Sequence, residues 1–298
     1  KREEVPMLNF EYHTPGSLEE ALSLLDKQGE EAKVLAGGTD LIVQMKDGRS
    51  HASHVVDVKK IPELNRLEWS EEEGLHIGAA VPISMVAAYP PVAERFDMLA
   101  QACSHIGSVQ IRNRGTIGGN ICNAAPSANT SPPLLCLGAK AVVARLKETR
   151  IVPLESFFRG PGQTALADNE LLVEIEVPTP RALSAGCYLQ HTSREEMDIA
   201  VVGVASLLVL TPRGNLCHEA RIALGAVAPI PLRAHQAEAF LAGKAQAEEV
   251  IEEAAERAAE STIPISDVRG SVEYRRELAR VLTRRTLRRA WEALEVQT

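Results

Sequence analysis

The chain has 298 residues, 45% hydrophobic and 24% charged, which is ordinary for a globular protein of two or three domains. A formal charge of -8 argues against a general nucleic-acid binder, because nonspecific affinity for phosphate backbones rests on Lys and Arg neutralising them. No apolar run reaches the roughly 18 residues needed to span a bilayer. The longest candidate, Ile199 to Leu210, contains Gly203 and Ser206 and stops before Pro212. Lys1 to Pro6 hold no apolar core or small-residue cleavage site, so a soluble chain with a cytoplasmic address is expected.

The predicted elements begin at Ser17, where Glu20 completes a capping box ahead of Ala21, Leu22 and Leu25 at helical spacing, giving a short amphipathic helix. Lys33 to Ala36 reads as a strand running into Gly37 and Gly38, and Leu41 to Met45 continues apolar before a turn at Asp47 and Gly48. Val55 to Val58 is a further strand, ended by Pro62. A second block starts near Leu64, with a strand over Leu75 to Ala79, a helix start over Pro82 to Val86 and a helical segment over Met98 to Ile106. Pro132 to Leu137 resembles a helix with proline near its first turn, and Ala141 to Ala144 and Leu171 to Val177 read as strands.

Pro178, Thr179 and Pro180 mark the expected domain boundary. Beyond Arg181 come longer strands, Ala200 to Leu210 and Ala220 to Leu224, and then a helical tail expected to fold as its own unit. Ala245 to Glu260 is an acidic helix and Glu273 to Leu294 a basic one, whose charge reads as a solvated face. Leu278, Val281 and Leu282 share one side while Leu287, Trp291 and Leu294 lie elsewhere, which calls for a bend or packing on two sides.

Two glycine-rich segments carry most of the functional information, Val34 to Leu41 and Thr116 to Asn129. Each joins a glycine pair to small polar residues and aliphatics, a composition that lets backbone N–H groups approach a phosphate without strong positive charge. Together they point to a bound dinucleotide. Neither fits the G-x-G-x-x-G fingerprint or the G-x-x-x-x-G-K-[ST] phosphate loop, so nicotinamide dehydrogenase and NTPase readings lose support. Cys103, Cys122, Cys136, Cys187 and Cys217 are scattered with no C-x-x-C pair, which suits buried thiols in a reducing compartment. His51 and His54 lack a third ligand, so no metal site is assigned.

At these motifs the chain resembles a known family. Ala36 to Leu41, Gln110 to Asn120, Glu170 to Leu172, Arg194 with Asp198 to Ala200, and Asp267 to Ser271 with Tyr274 and Arg275 are similar to the FAD-binding medium subunit of molybdenum hydroxylases. Xanthine dehydrogenase, aerobic carbon monoxide dehydrogenase, nicotinate dehydrogenase and 4-hydroxybenzoyl-CoA reductase belong to that family. The resemblance covers nearly the whole chain in order. It lacks a cysteine-bearing insertion of the kind that distinguishes the benzoyl-CoA reductase branch.

The resemblance implies an α+β fold: a two-lobed FAD domain of the vanillyl-alcohol-oxidase (PCMH) type over 1–180, with lobes of about 1–62 and 63–180, and a C-terminal domain of antiparallel sheet and helices over 181–298. FAD would lie extended between the lobes. Leu35, Ala36, Gly37, Gly38, Thr39, Asp40 and Leu41, with Thr116, Gly118, Gly119 and Asn120, would line its ADP and pyrophosphate. Ile106 or Gly107 would lie against the cofactor and Leu172 near the adenine. Asn129 stands where the family commonly has aspartate; it keeps the hydrogen-bonding reach and drops the charge. Gln190 stands where some members place a lysine near the flavin, so redox tuning there is expected to differ.

The implied activity is electron relay. A large subunit would carry the molybdenum cofactor and a small subunit the [2Fe–2S] clusters, in a dimer of heterotrimers, with an external acceptor or donor at the flavin. Such a role needs no catalytic acid, base or nucleophile, and none is assigned. The loop Arg194 to Asp198 reads as a solvated turn with an ion pair that the family places toward the flavin, and Tyr188 reads as core. A self-contained FAD oxidoreductase and a nonenzymatic nucleotide-binding or assembly subunit are the alternatives, separated by activity of the chain without partners and by its flavin content.

Overall fold

The computed structural model describes residues 9–194, 197–213 and 216–296. Three sheets hold most of the strands. The first is parallel, with Glu11–His13 and Ala32–Leu35 flanking the central strand His54–Asp57. Helix Leu18–Gln28 connects the first two of its strands, as its capping signal predicts. Ser17 Oγ accepts from the Glu20 N–H, and the Glu20 carboxylate reaches back to the Gly16 N–H rather than to that of Ser17.

The second sheet is antiparallel, with Leu171–Val177 at its centre between Gly74–Gly78 and Lys140–Arg145, and Leu67–Ser70 and Glu148–Pro153 at its edges. The third is an antiparallel meander of Ser184–His191, Val202–Leu210, Cys217–Gly225 and Leu232–Arg233. This is the α+β architecture that the resemblance implies.

Val202–Leu210 is buried almost throughout because both of its faces are covered. On one side lies the proline-led helix Ser131–Cys136, with Asp97–Ser104 packed on the neighbouring strand Ser184–His191; the long helix Val272–Glu295 also packs on Val202–Leu210. The largest core cluster accordingly joins all three sheets, with Val56 from the first and Leu25 from its connecting helix, Ile77 and Ile175 from the second, and Tyr188, Ala205 and Ala223 from the third. Tyr188 is a core side chain, as expected.

The expectation that the tail folds as its own unit is corrected. Helices Glu248–Glu260 and Val272–Glu295 pack against each other, and the longer one packs on the third sheet, sharing a core of Val204, Leu208, Ala254, Ala258, Leu287 and Trp291. That two-sided packing explains why the apolar residues of the last helix form no single stripe. Its charge is not simply solvated either: Arg280 and Arg284 both bond Glu252, and Arg288 bonds Glu248.

Candidate functional site

The two glycine-rich segments, far apart in sequence, come together in space where the first touches the residues leading into the second. A Cβ on Gly37 would stand 2.1 Å from the Arg114 carbonyl oxygen and 2.7 Å from Gly115 Cα, so only glycine permits this approach. Gly38 follows at φ +75°, the left-handed region that glycine enters without strain. Leu35 ends its strand beside Met45, Ala52 and Val55 and props this turn from beneath. The apolar run that follows is a short helix, Leu41–Lys46, rather than extended chain. It carries Gln44 across the gap, where Nε2 donates to Asn123 Oδ1 at 2.9 Å.

The second segment is likewise a helix start and not a tight turn. Thr116 caps Ile117–Cys122 by accepting from the Gly119 N–H at 2.9 Å, while Ile117 and Ile121 bury the opposite face. The two glycines of this turn do different work. A Cβ on Gly118 would stand 2.6 to 2.7 Å from Ala79 atoms, so Gly118 lets the helix sit against the second sheet. Outside its own helix, a Cβ on Gly119 would meet Thr116 Oγ1 alone, at 3.0 Å.

These segments wall a cavity of about 650 Å³. Ala36, Gly37, Gly38, Thr39, Asp40 and Leu41 line it from the first glycine-rich segment, and Ile106, Gly107, Thr116, Gly118, Gly119, Asn120 and Leu172 from later in the chain. Three expected residues lie outside the lining. Leu35 is the prop just described, and Asn129 is buried with its Nδ2 donating to the His105 carbonyl at 3.5 Å, one residue before Ile106. Gln190 pairs with Gly203 in the third sheet and accepts from the Tyr188 hydroxyl at 3.4 Å.

Several lining residues escape the sequence reading. Lys33, Gln44, Asn123, Leu166 and Glu170 all border the cavity. Of these Asn123 lies within the second glycine-rich segment and Glu170 within a quoted motif, and the task of Glu170 is visible here. Arg150 grips its carboxylate with two bonds of 2.7 and 2.8 Å, and the Ala167 N–H adds a third of 2.9 Å. Arg150 first and that N–H with it hold the Glu170 carboxyl below its usual pKa, against the opposing effect of burial. The same guanidinium donates to the Ala165 carbonyl, so the stretch 165–170 is pinned beside the cavity. On another wall Arg112 donates to the Ile106 and Gly107 carbonyls at 3.0 and 3.3 Å.

The chemistry of the cavity is that of holding. Burial raises the Asp40 carboxyl above its ordinary value and pushes the Cys122 thiol up to about 12, which keeps it protonated and inert. Thr39, Asn120 and first-turn N–H groups supply polar contacts; Ile83, Ile106, Leu166 and Leu172 supply apolar wall. The open approach at Gly119 and the left-handed turn at Gly38 fit a pyrophosphate, and the apolar walls fit flat rings, so these residues suit FAD.

The remaining expected features are also placed. In the loop after the first strand of the third sheet, Arg194 pairs with Asp198 at 3.8 Å, while the N–H groups of Ile199 and Arg194 first and second hold the Asp198 carboxyl below its usual pKa; Glu195 and Glu196 lie outside the described residues. All five cysteines are unpaired. No described helix is long and apolar enough to cross a membrane.

Comparison with known proteins gives the same assignment. The family described as the FAD binding domain in molybdopterin dehydrogenase matches residues 8–180, and the CO dehydrogenase flavoprotein C-terminal domain matches residues 188–290. The carbon monoxide dehydrogenase medium chain of Hydrogenophaga pseudoflava is 38% identical over 95% of this chain and 97% of its own length. A putative xanthine dehydrogenase FAD-binding subunit of Escherichia coli is 32% identical over 94% and 95%. Among solved structures, carbon monoxide dehydrogenase from Hydrogenophaga pseudoflava lacking the Mo-pyranopterin moiety superposes with a TM-score of 0.91 at 36% identity, covering 96% of this chain and 98% of that one. Quinoline 2-oxidoreductase from Pseudomonas putida superposes at 0.90 with 31% identity, covering 97% and 99%. With two domain families in order, full-length relatives and a shared fold, the chain belongs to the FAD-binding medium subunits of the molybdenum hydroxylase family.

Proposed function

We propose that this chain relays electrons through FAD held in the cavity between its glycine segments, on behalf of a molybdenum-cofactor large subunit and a small subunit with [2Fe–2S] clusters. The observation that carries the reading is the direct contact of Gly37 with Arg114 and Gly115, which puts both phosphate-suited segments on one wall system. FAD, when bound, supplies a ring system able to exchange electrons one or two at a time. The chain's own residues bind, orient and shield. Backbone at Gly38 and Gly119 approaches the pyrophosphate, Thr39 and Asn120 offer polar contacts, and Leu172 and Ile106 exclude water from the apolar ends.

Asn129 acts one step back, steadying the His105 carbonyl and through it the wall at Ile106. Gln190 is neutral, so the chain offers no ammonium at that position to favour an anionic flavin. In this reading residues 1–180 form the cofactor domain, with lobes meeting near residue 62, and residues 181–298 the second domain, in a complex built as a dimer of heterotrimers. Substrate specificity resides in the large subunit.

The test is copurification of the complex through a tag on this chain, with metal and flavin analysis. Molybdenum, iron and FAD in fixed proportion, with the FAD-loaded chain alone unable to oxidise an organic substrate, is the expected result. Substrate oxidation by the isolated chain would favour a self-contained oxidoreductase instead.

A further inference from the structure

His54 finds no partner in His51, yet the fold brings ligands to it from elsewhere. It opens the central strand of the parallel sheet, and its register partner on the edge strand is Glu11. His13 lies two residues beyond Glu11, on the same sheet face. Three donor atoms converge as a result. His13 Nε2 and His54 Nδ1 are 3.1 Å apart, and Glu11 Oε2 stands 3.4 Å from the second and 3.8 Å from the first.

We propose that Glu11, His13 and His54 form a binding site for a divalent transition-metal ion, with zinc as the fitting occupant. Tetrahedral zinc with bonds of about 2.0–2.2 Å separates its ligand atoms by about 3.3–3.6 Å. The three observed separations bracket that range, so small side-chain adjustments complete the geometry. Two imidazoles and a carboxylate are also a donor set that zinc accepts, and three protein ligands leave a fourth position for water. The site borders a shallow surface groove containing Tyr12, His13, Thr14 and Glu20, which gives an ion a way in.

A second cluster in the molecule shows what a cation-filled version looks like. His76, Glu174 and Glu176 also bring ligand atoms together, but Arg66 Nη1 already stands 3.2 Å from His76 Nδ1 and 3.7 Å from Glu174 Oε2. Among the described residues, the ion pairs of Glu11 are with His13 and His54 alone. Among the described residues, no guanidinium or ammonium takes the central place there. A bound ion would clip the three-residue edge strand Glu11–His13 to the centre of its sheet, and so brace the lobe that supplies Gly37 and Gly38 to the cavity.

The experiment titrates Zn²⁺ into the full-length, FAD-loaded chain by calorimetry, beside His13→Ala, His54→Ala, Glu11→Gln and His51→Ala. One zinc per chain is expected in the unaltered protein and in His51→Ala, no saturable binding in the first two variants, and affinity about tenfold weaker in Glu11→Gln. Unchanged FAD content shows that the variants fold. Should either alanine variant fail to fold, Co²⁺ in the unaltered chain provides the readout, with the visible bands of four-coordinate cobalt expected. Absence of zinc binding, zinc binding undiminished by His13→Ala and His54→Ala, or a purely six-coordinate cobalt spectrum would overturn the site.

Discussion

Gly119→Val separates the cofactor role of the second glycine segment from its structural role. Gly119 is the third residue of its helix, capped by Thr116 and lining the cavity. Apart from that helix, the new Cβ meets Thr116 Oγ1 alone, at 3.0 Å, so the cap hydroxyl must give by a few tenths of an ångström while the branched side chain spends its bulk on the cavity edge. Replacing glycine inside a helix gains about 0.5–1 kcal/mol for alanine and less for β-branched valine, so the apoprotein should keep its stability within about 1 kcal/mol. Because the Thr116 cap takes the Gly119 N–H, a phosphate there would use the other first-turn N–H groups; forcing it off them forfeits a hydrogen bond to a charged group, about 1.5–3 kcal/mol, which weakens FAD binding roughly ten- to hundredfold.

Flavin fluorescence titration of the apoprotein, with urea unfolding in parallel, measures both quantities. Gly118→Ala is the contrasting variant: its Cβ would press to 2.6–2.7 Å on Ala79, so it should lose about 1–3 kcal/mol of stability through overpacking. Wild-type FAD affinity in Gly119→Val would refute the placement of the pyrophosphate. A large stability loss in that variant would refute the open wall.

Glu170→Gln should cost about 1–2 kcal/mol at neutral pH, since it replaces a charge-assisted grip by Arg150 that is partly screened on the arginine side. Because the folded pKa of Glu170 is lowered, this contribution is present above the unfolded carboxyl value of about 4.3 and is lost as pH falls through the folded value. Urea midpoints of variant and wild type should therefore converge in acid; a gap that persists there would contradict the assignment. Arg275→Met leaves the Val201 and Ala226 carbonyls and Asp267 without their guanidinium partner, at 2.6, 3.2 and 2.7 Å, and should cost about 2–3 kcal/mol in thermal unfolding. Arg288→Ala breaks an exposed pair with Glu248, so stability should move by under about 1 kcal/mol and FAD content should not change. Flavin loss in that variant would place the last helix closer to the cofactor than the fold does.

The glycine segments were legible in the sequence because their composition reports a local requirement, bare backbone near a ligand. Their conformations were less so. A run of Ile117, Gly118, Gly119 and Asn120 has poor intrinsic helix propensity, and the helix exists there because Thr116 caps it and Ile117 and Ile121 are buried. Leu41 to Met45 poses the opposite difficulty, since a short apolar run, here broken by Gln44, does not distinguish strand from helix. The Gln44–Asn123 bond spans 79 positions, and nothing local in either residue announces it. The pairing of the acidic and basic helices is similar: each charge pattern was plain, but only the packing of the acidic helix on the basic one, itself seated on the third sheet, brings Glu252 to Arg280 and Arg284.

The account rests on one cofactor held between the two glycine segments, and the most direct measurement is the flavin stoichiometry of the purified chain, released by denaturation and identified by chromatography. One FAD per chain, falling sharply in Gly119→Val while the variant stays folded, is the predicted result. A folded, colourless chain that cannot be reconstituted with FAD would contradict it.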